Sequence, residues 1–90
     1  MKKIKTKSGY IAYEATAEET GRLGGCGICD DCGEFAASGY LVPVLDHYMC
    51  PECFHDFEGR GTYYPEDIPV ETRTAEYFES RIPLQGDETQ

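Results

Sequence analysis

The chain has no tryptophan; its aromatic residues are seven tyrosines and four phenylalanines. It has no run near the ~18 apolar residues that a membrane-spanning helix needs. The longest, "YLVPVL", is strand-sized, so no membrane association is expected. The start "MKKIKTKSGYIAYEA" carries lysines but no apolar stretch behind them, and does not read as a secretory signal. A cytoplasmic chain is therefore expected, where thiols stay reduced.

Basic residues are also scarce, with 8 Lys and Arg against 17 Asp and Glu and a formal net charge of −9. Phosphate backbones are held by Lys and Arg that neutralise them, so sequence-independent binding to nucleic acid is not expected. The imbalance is uneven: residues 1–25 carry +2, residues 26–60 carry −6 and residues 61–90 carry −5. Solubility is the plain use of such a surface, and a face for a basic partner or a mimic of nucleic acid is the sharper one. No serine or aspartate stands in a hydrolase context and no glycine loop has P-loop spacing, so the chain does not read as an enzyme. There is no internal repeat and no second domain. Ninety residues make one small domain, and a core of that size often needs a metal or another staple. The expected extent is residues 1–83 with a finger core at 26–60, and residues 84–90 as a disordered tail.

Cysteine is what the chain does have. "GGCGICDDCGEF" places Cys26, Cys29 and Cys32 on one ladder, and "YMCPECF" adds Cys50 and Cys53. In a reducing compartment, paired CxxC units are metal ligands or redox groups before they are disulfides. Structural zinc takes four tetrahedral ligands, commonly from two such pairs. The two-residue gap lets both thiolates grip one ion while the intervening N–H groups turn towards sulfur. A glycine after the second cysteine eases that turn, because it takes positive φ. "CDDCG" has it in Gly33, whereas "CGIC" is followed by Asp30. The expected ligands of one zinc per chain are Cys29, Cys32, Cys50 and Cys53. Cys26, on the glycine-rich approach Gly24-Gly25, is left over, and whether it can replace a lost ligand stays open. With four thiolates in place, His47 and His55 read as surface or capping residues, and no position remains for a catalytic water. Asp30 and Asp31 read as a solvated polar turn.

Around the cysteines the pattern is α+β. Residues 3–13 predict a hairpin turning at Ser8-Gly9. Thr16 with Glu19 fits a capping box, giving one short helical turn that stops at Gly21, and "RLGGCG" reads as a flexible lead. Residues 40–45 predict a strand that Pro43 relegates to an edge or a bulge. Asp46-His47 forms the turn and Tyr48-Met49 the return strand. A helix follows with Cys50 at the N-cap, Pro51 first, Glu52 in the first turn and Gly59 past its end. Its Phe54 and Phe57 share one face. "RGTYYPEDIP" reads as a loop. In "VETRTAEYFESRI", Val70, Ala75, Phe78 and Ile82 form a helical stripe between Pro69 and Pro83. Tyr63-Tyr64 and the Tyr77-Phe78 pair either pack this segment onto the finger or form an exposed patch for a partner.

The run "CDDCG", hairpin, "CPECFHDFEG" resembles a treble-clef zinc finger over residues 26–60. The resemblance implies a small zinc-stapled α+β finger, here with an N-terminal hairpin and a C-terminal helix added. The acidic, lysine-led format is similar to small uncharacterised zinc-finger proteins of bacteria and their mobile elements. Treble clefs serve many functions, so the resemblance carries fold rather than role. Rubredoxin shares the "CxxCG" and "CPxC" knuckles, but its pairs lie further apart and its second knuckle ends in glycine where this chain has Phe54. The expected role is a non-catalytic zinc-binding module acting through a protein partner. A nucleic-acid-linked role is the alternative, followed by rubredoxin-like electron transfer.

Overall fold

The computed structural model describes residues 1–60 and 63–84. The chain folds as a four-stranded antiparallel sheet with helices on both faces. Its strands are β1 (Lys2–Lys5), β2 (Ile11–Thr16), β3 (Ser38–Val42) and β4 (His47–Met49), in the spatial order β1-β2-β3-β4. The helices are α1 (Ala17–Thr20), α2 (Pro51–Arg60) and α3 (Ile68–Arg81).

Both expected hairpins form, and the pairing of β2 with β3 fuses them into one sheet. Tyr13 sits opposite Leu41, and Leu41 opposite Tyr48. Because successive strand residues point to opposite faces, one register serves two cores. Tyr13, Ala15, Leu41 and Tyr48 face α3 and pack with Ala75, Phe78 and Ile82. Ala12, Val42 and Met49 face α2 and pack with Phe54, Phe57 and Cys29. The Tyr13 and Phe78 rings meet edge to face at 6.2 Å, while Tyr40 stacks on Phe54 at 3.9 Å with the planes 11° apart. Phe54 and Phe57 thus share the buried face expected of them. Gly39 is required where β3 crosses Tyr48: a Cβ there would run into the Met49 carbonyl and the tyrosine ring.

Several local expectations shift. Pro43 lies just past β3, in the turn that leads to Asp46, so β3 is an interior strand without a bulge. Asp46 supplies the turn's left-handed residue at φ 56°, and His47 already belongs to β4. The capping box forms: Thr16 Oγ1 accepts from the Glu19 N–H at 3.1 Å and Glu19 Oε1 accepts from the Thr16 N–H at 3.0 Å. Gly21 does not end that turn; its φ of −58° continues into a 3₁₀ turn (Gly21–Leu23), and Gly24 stops it at φ 85°. The lead to the cysteines is tied down, since the Gly25 N–H donates to the Thr20 carbonyl at 2.9 Å. Gly59 lies inside α2, not beyond it. Its φ is not left-handed, so nothing there forces a stop.

The loop before α3 holds a 3₁₀ turn (Pro65–Asp67), and α3 starts at Ile68. Its buried stripe is Glu71, Ala75 and Phe78, continued by Ile82, whereas Val70 is 46% exposed. A carboxylate takes the place expected of valine because, though buried, it has a backbone partner: Glu71 Oε2 accepts from the Ile11 N–H at 2.6 Å. Tyr10 extends this seam by donating to Asp67 Oδ2 at 2.7 Å and accepting from the Tyr64 N–H at 3.0 Å. Tyr10 and Tyr63 pack ring on ring at 4.9 Å, while Tyr64 and Tyr77 stay exposed. The Met1 ammonium donates to Glu19 Oε2 at 2.8 Å and to the Pro83 carbonyl at 2.9 Å, tying β1 to both α1 and the end of α3. The tail expected at 84–90 has only Leu84 among the described residues, half-buried against the α3 core; the rest lies outside them.

Candidate metal centre

The first knuckle is a miniature hairpin built by three backbone contacts. Ile28 bridges Phe35, the Cys29 N–H donates to the Glu34 carbonyl at 2.8 Å, and the Gly33 N–H donates to the Cys29 carbonyl at 2.8 Å. The last bond closes a turn that places Gly33 at φ 79°, the left-handed conformation for which glycine was expected. Inside the turn the Asp31 N–H points at Cys29 Sγ, 3.4 Å away. The second pair stands where β4 runs into α2. There the Cys53 N–H lies 3.5 Å from Cys50 Sγ, and the Phe54 N–H donates to the Cys50 carbonyl at 2.9 Å. Pro51 opens the helix where a missing N–H costs nothing.

The fold brings these two turns face to face. The sulfurs of Cys29, Cys32, Cys50 and Cys53 all lie within 4.8 Å of one another, with Cys32 and Cys50 at 3.9 Å. A tetrahedron of thiolates about 2.3 Å from a central ion has edges of about 3.8 Å. The sulfur cage therefore has the size of a four-thiolate metal site, and its donors suit a soft or borderline ion. Cys29 is buried against Val42 and Phe54, Cys50 and Cys53 are half-buried, and Cys32 reaches the surface. Cys26 is exposed and stands outside the cluster, as do His47 and His55.

The electrostatics show why such a cage suits a cation. Burial pushes the Cys29 thiol up, but the N–H groups of Cys32, Cys50 and Asp31 outweigh it and bring it down to about 6. Cys53 goes the other way, raised first by its hydrogen bond with the Cys50 sulfur and then by burial. For Cys32 the Glu34 N–H pulls downward, yet the Cys29 sulfur and burial win and the thiol is raised. Cys29 thus ionises readily while the Cys32 and Cys53 thiols resist, as expected of acids that share one small volume.

Asp30 is exposed in the turn as expected, but it also does more. Its N–H donates to the Tyr48 carbonyl at 2.8 Å, and its Oδ2 accepts from the Tyr48 N–H at 2.8 Å. A residue between the two knuckle cysteines thus satisfies both outward backbone groups of Tyr48 in β4. Nothing in the order of residues marks this, because a strand edge exists only after the sheet has formed. Of the lysines of the first segment, Lys3 is engaged within the fold: its Nζ lies 3.0 Å from Glu79 Oε2, which also accepts from the Tyr13 hydroxyl. His47 Nδ1 is buried and has no hydrogen-bond partner among the described residues. Among those residues no helix is long and apolar enough to cross a membrane. Compared with known proteins, the chain matches no family model, no curated protein and no solved structure.

Proposed function

We propose that the chain is a non-catalytic binding module, stapled by one zinc ion on Cys29, Cys32, Cys50 and Cys53, that acts through a protein partner. The observation that carries this reading is the closed cage: four sulfurs within 4.8 Å of one another fill every position of a tetrahedral ion. When bound, zinc supplies a structural cross-link and no redox chemistry. The chain's own residues hold it: Gly33 shapes the first turn, and the Asp31 and Cys53 N–H groups offset charge on sulfur. We read the knuckle, the β3–β4 hairpin and α2 as a treble-clef arrangement, supported by their order and by ligand pairs that flank the hairpin. The β1–β2 hairpin and α3 are additions around it.

Protein rather than nucleic acid is favoured as partner by the net charge of −9 and by the engagement of Lys3 with Glu79. The experiment has two parts. Elemental analysis of the purified chain should give one zinc per chain and a colourless protein; an iron-coloured preparation would overturn the zinc reading in favour of electron transfer. Affinity capture from the native host, with and without nuclease, should retain the same protein in both arms. Retention that disappears with nuclease would overturn the protein-partner reading.

A further inference from the structure

At the cysteine cage the surface opens into a groove of about 640 Å³ between the first knuckle and the start of α2, with Cys32, Cys50 and Cys53 of the cage forming part of its wall. Phe35 lies along it and is 64% exposed, the most exposed of the chain's large apolar residues among those described. Across the isolated bridge from it stands Ile28, 40% exposed. Bridged antiparallel residues point to the same side, so the two make one apolar spot. Pro51 continues it on the helix side. Glu34 and Glu52 stand in the same lining, and no lysine or arginine does.

We infer that this groove docks a basic segment of a partner protein, an apolar side chain seated on Phe35 with flanking Lys or Arg meeting Glu34 and Glu52. The inference rests on the binding-module reading and names its surface and partner chemistry. Charge selects the occupant. A second copy of this chain would set Glu34 and Glu52 against their equivalents across a two-fold axis, on a molecule that already carries −9. A nucleic-acid backbone meets the same repulsion. A cation-flanked apolar residue meets neither, and an exposed aromatic at the centre with charge at the rim is how protein interfaces are built. Exposure also speaks for a role here. Phe35 lies outside both cores, and the bonds on either side of it, from the Cys29 N–H to the Glu34 carbonyl and from the Ala36 N–H to the Gly27 carbonyl, hold its position in the knuckle hairpin.

The test is selection of a phage-displayed library of random 12-residue peptides on the metal-loaded full chain. Affinities of the enriched peptides follow by fluorescence anisotropy. Enriched peptides should carry an apolar residue flanked by Lys or Arg and should weaken as salt rises. Phe35→Ser should weaken them about tenfold or more, with metal content and melting temperature retained. Glu34→Lys with Glu52→Lys, which leaves Phe35 in place, should weaken them to a similar degree and flatten the salt dependence. Enriched peptides that bind Phe35→Ser as they bind the parent would overturn this surface while the binding-module reading stands. A library that yields no binder to the parent chain would overturn both. Tighter binding of a 12-nucleotide single-stranded RNA than of any enriched peptide would replace the protein partner with nucleic acid.

Discussion

Removing the metal should abolish cooperative folding, and the structure says how much is at stake. Two thiolates about 4 Å apart repel by about 4 kcal/mol at an effective dielectric constant of 20. The bare cage must therefore protonate most of its sulfurs, and the N–H groups aimed at Cys29 and Cys50 lose much of their electrostatic reward. The bonds to a structural zinc are worth about 10–16 kcal/mol in small fingers. A natural domain has only about 5–15 kcal/mol of stability in total. The term removed thus equals or exceeds everything that remains. The loss is focused on the α2 side of the sheet, where Cys29 is itself a core residue among Val42, Met49, Phe54 and Phe57. The assay is circular dichroism melting before and after treatment with a strong chelator, with metal loss verified by elemental analysis and zinc then restored. The expected result is a sloping, non-cooperative trace that regains its transition on zinc addition. A verified metal-free chain that still melts cooperatively within about 5 °C of the loaded one would refute the reasoning, since a shift that small corresponds to only about 1 kcal/mol in a domain of this size.

Other expected outcomes are equally direct. Cys26→Ser should keep one metal per chain and its melting temperature, while Cys32→Ser should lose both; the reverse pattern in elemental analysis would make "CGIC" the first knuckle. Phe78→Ala should cost about 3–5 kcal/mol and Val70→Ala no more than about 0.5 kcal/mol in denaturant titrations, which separates the buried side of α3 from its exposed one. Stability should fall as pH drops through the carboxylate range. Burial raises Glu19 and Glu79, but the Met1 ammonium and the Thr16 N–H for the first, and the Tyr13 hydroxyl and Lys3 for the second, outweigh it and leave both below the ordinary value of 4.5. Such depressed groups contribute stability that is present above the unfolded value and is lost as pH falls through the folded one. Glu79→Gln should flatten the acid limb of melting temperature against pH below about 4.5; an unchanged limb would contradict the Tyr13–Glu79–Lys3 contact.

Much of the site was legible because its signals are local. Gly33 could be read from the turn it must make, and the pairing of Cys29 with Cys32 followed from it; the structure brings those sulfurs to Cys50 and Cys53. The capping box at Thr16 and Glu19 lies within one turn of chain and was equally readable. What escaped depends on contacts between distant residues. Val70 was expected in the α3 stripe on periodicity alone, yet the helix is rotated so that Glu71 meets the Ile11 N–H, sixty residues away in sequence. The two hairpins gave no sign of joining, since the β2–β3 register depends on which residues face each helix. Pro43 pointed to an edge strand because sequence does not say that the strand ends one residue earlier.

The Asp30 contact with Tyr48 has a consequence beyond the knuckle. β4 is the last strand of the sheet, and its outer side would otherwise offer unpaired N–H and C=O groups to any passing chain. Asp30 occupies both groups of Tyr48, one with its backbone and one with its carboxylate. At the opposite boundary, β1 carries Lys2, Lys3 and Lys5, whose charge discourages stacking of another strand. Asp30 sits directly after Cys29, so the lock on β4 is held in place by the same turn that presents Cys29 and Cys32 to the cage. Metal loss should therefore do more than loosen a fold: it should uncover a docking edge. The metal-free protein should accumulate as β-rich assemblies that grow by strand addition, which light scattering and amyloid-dye fluorescence before and after chelation would check.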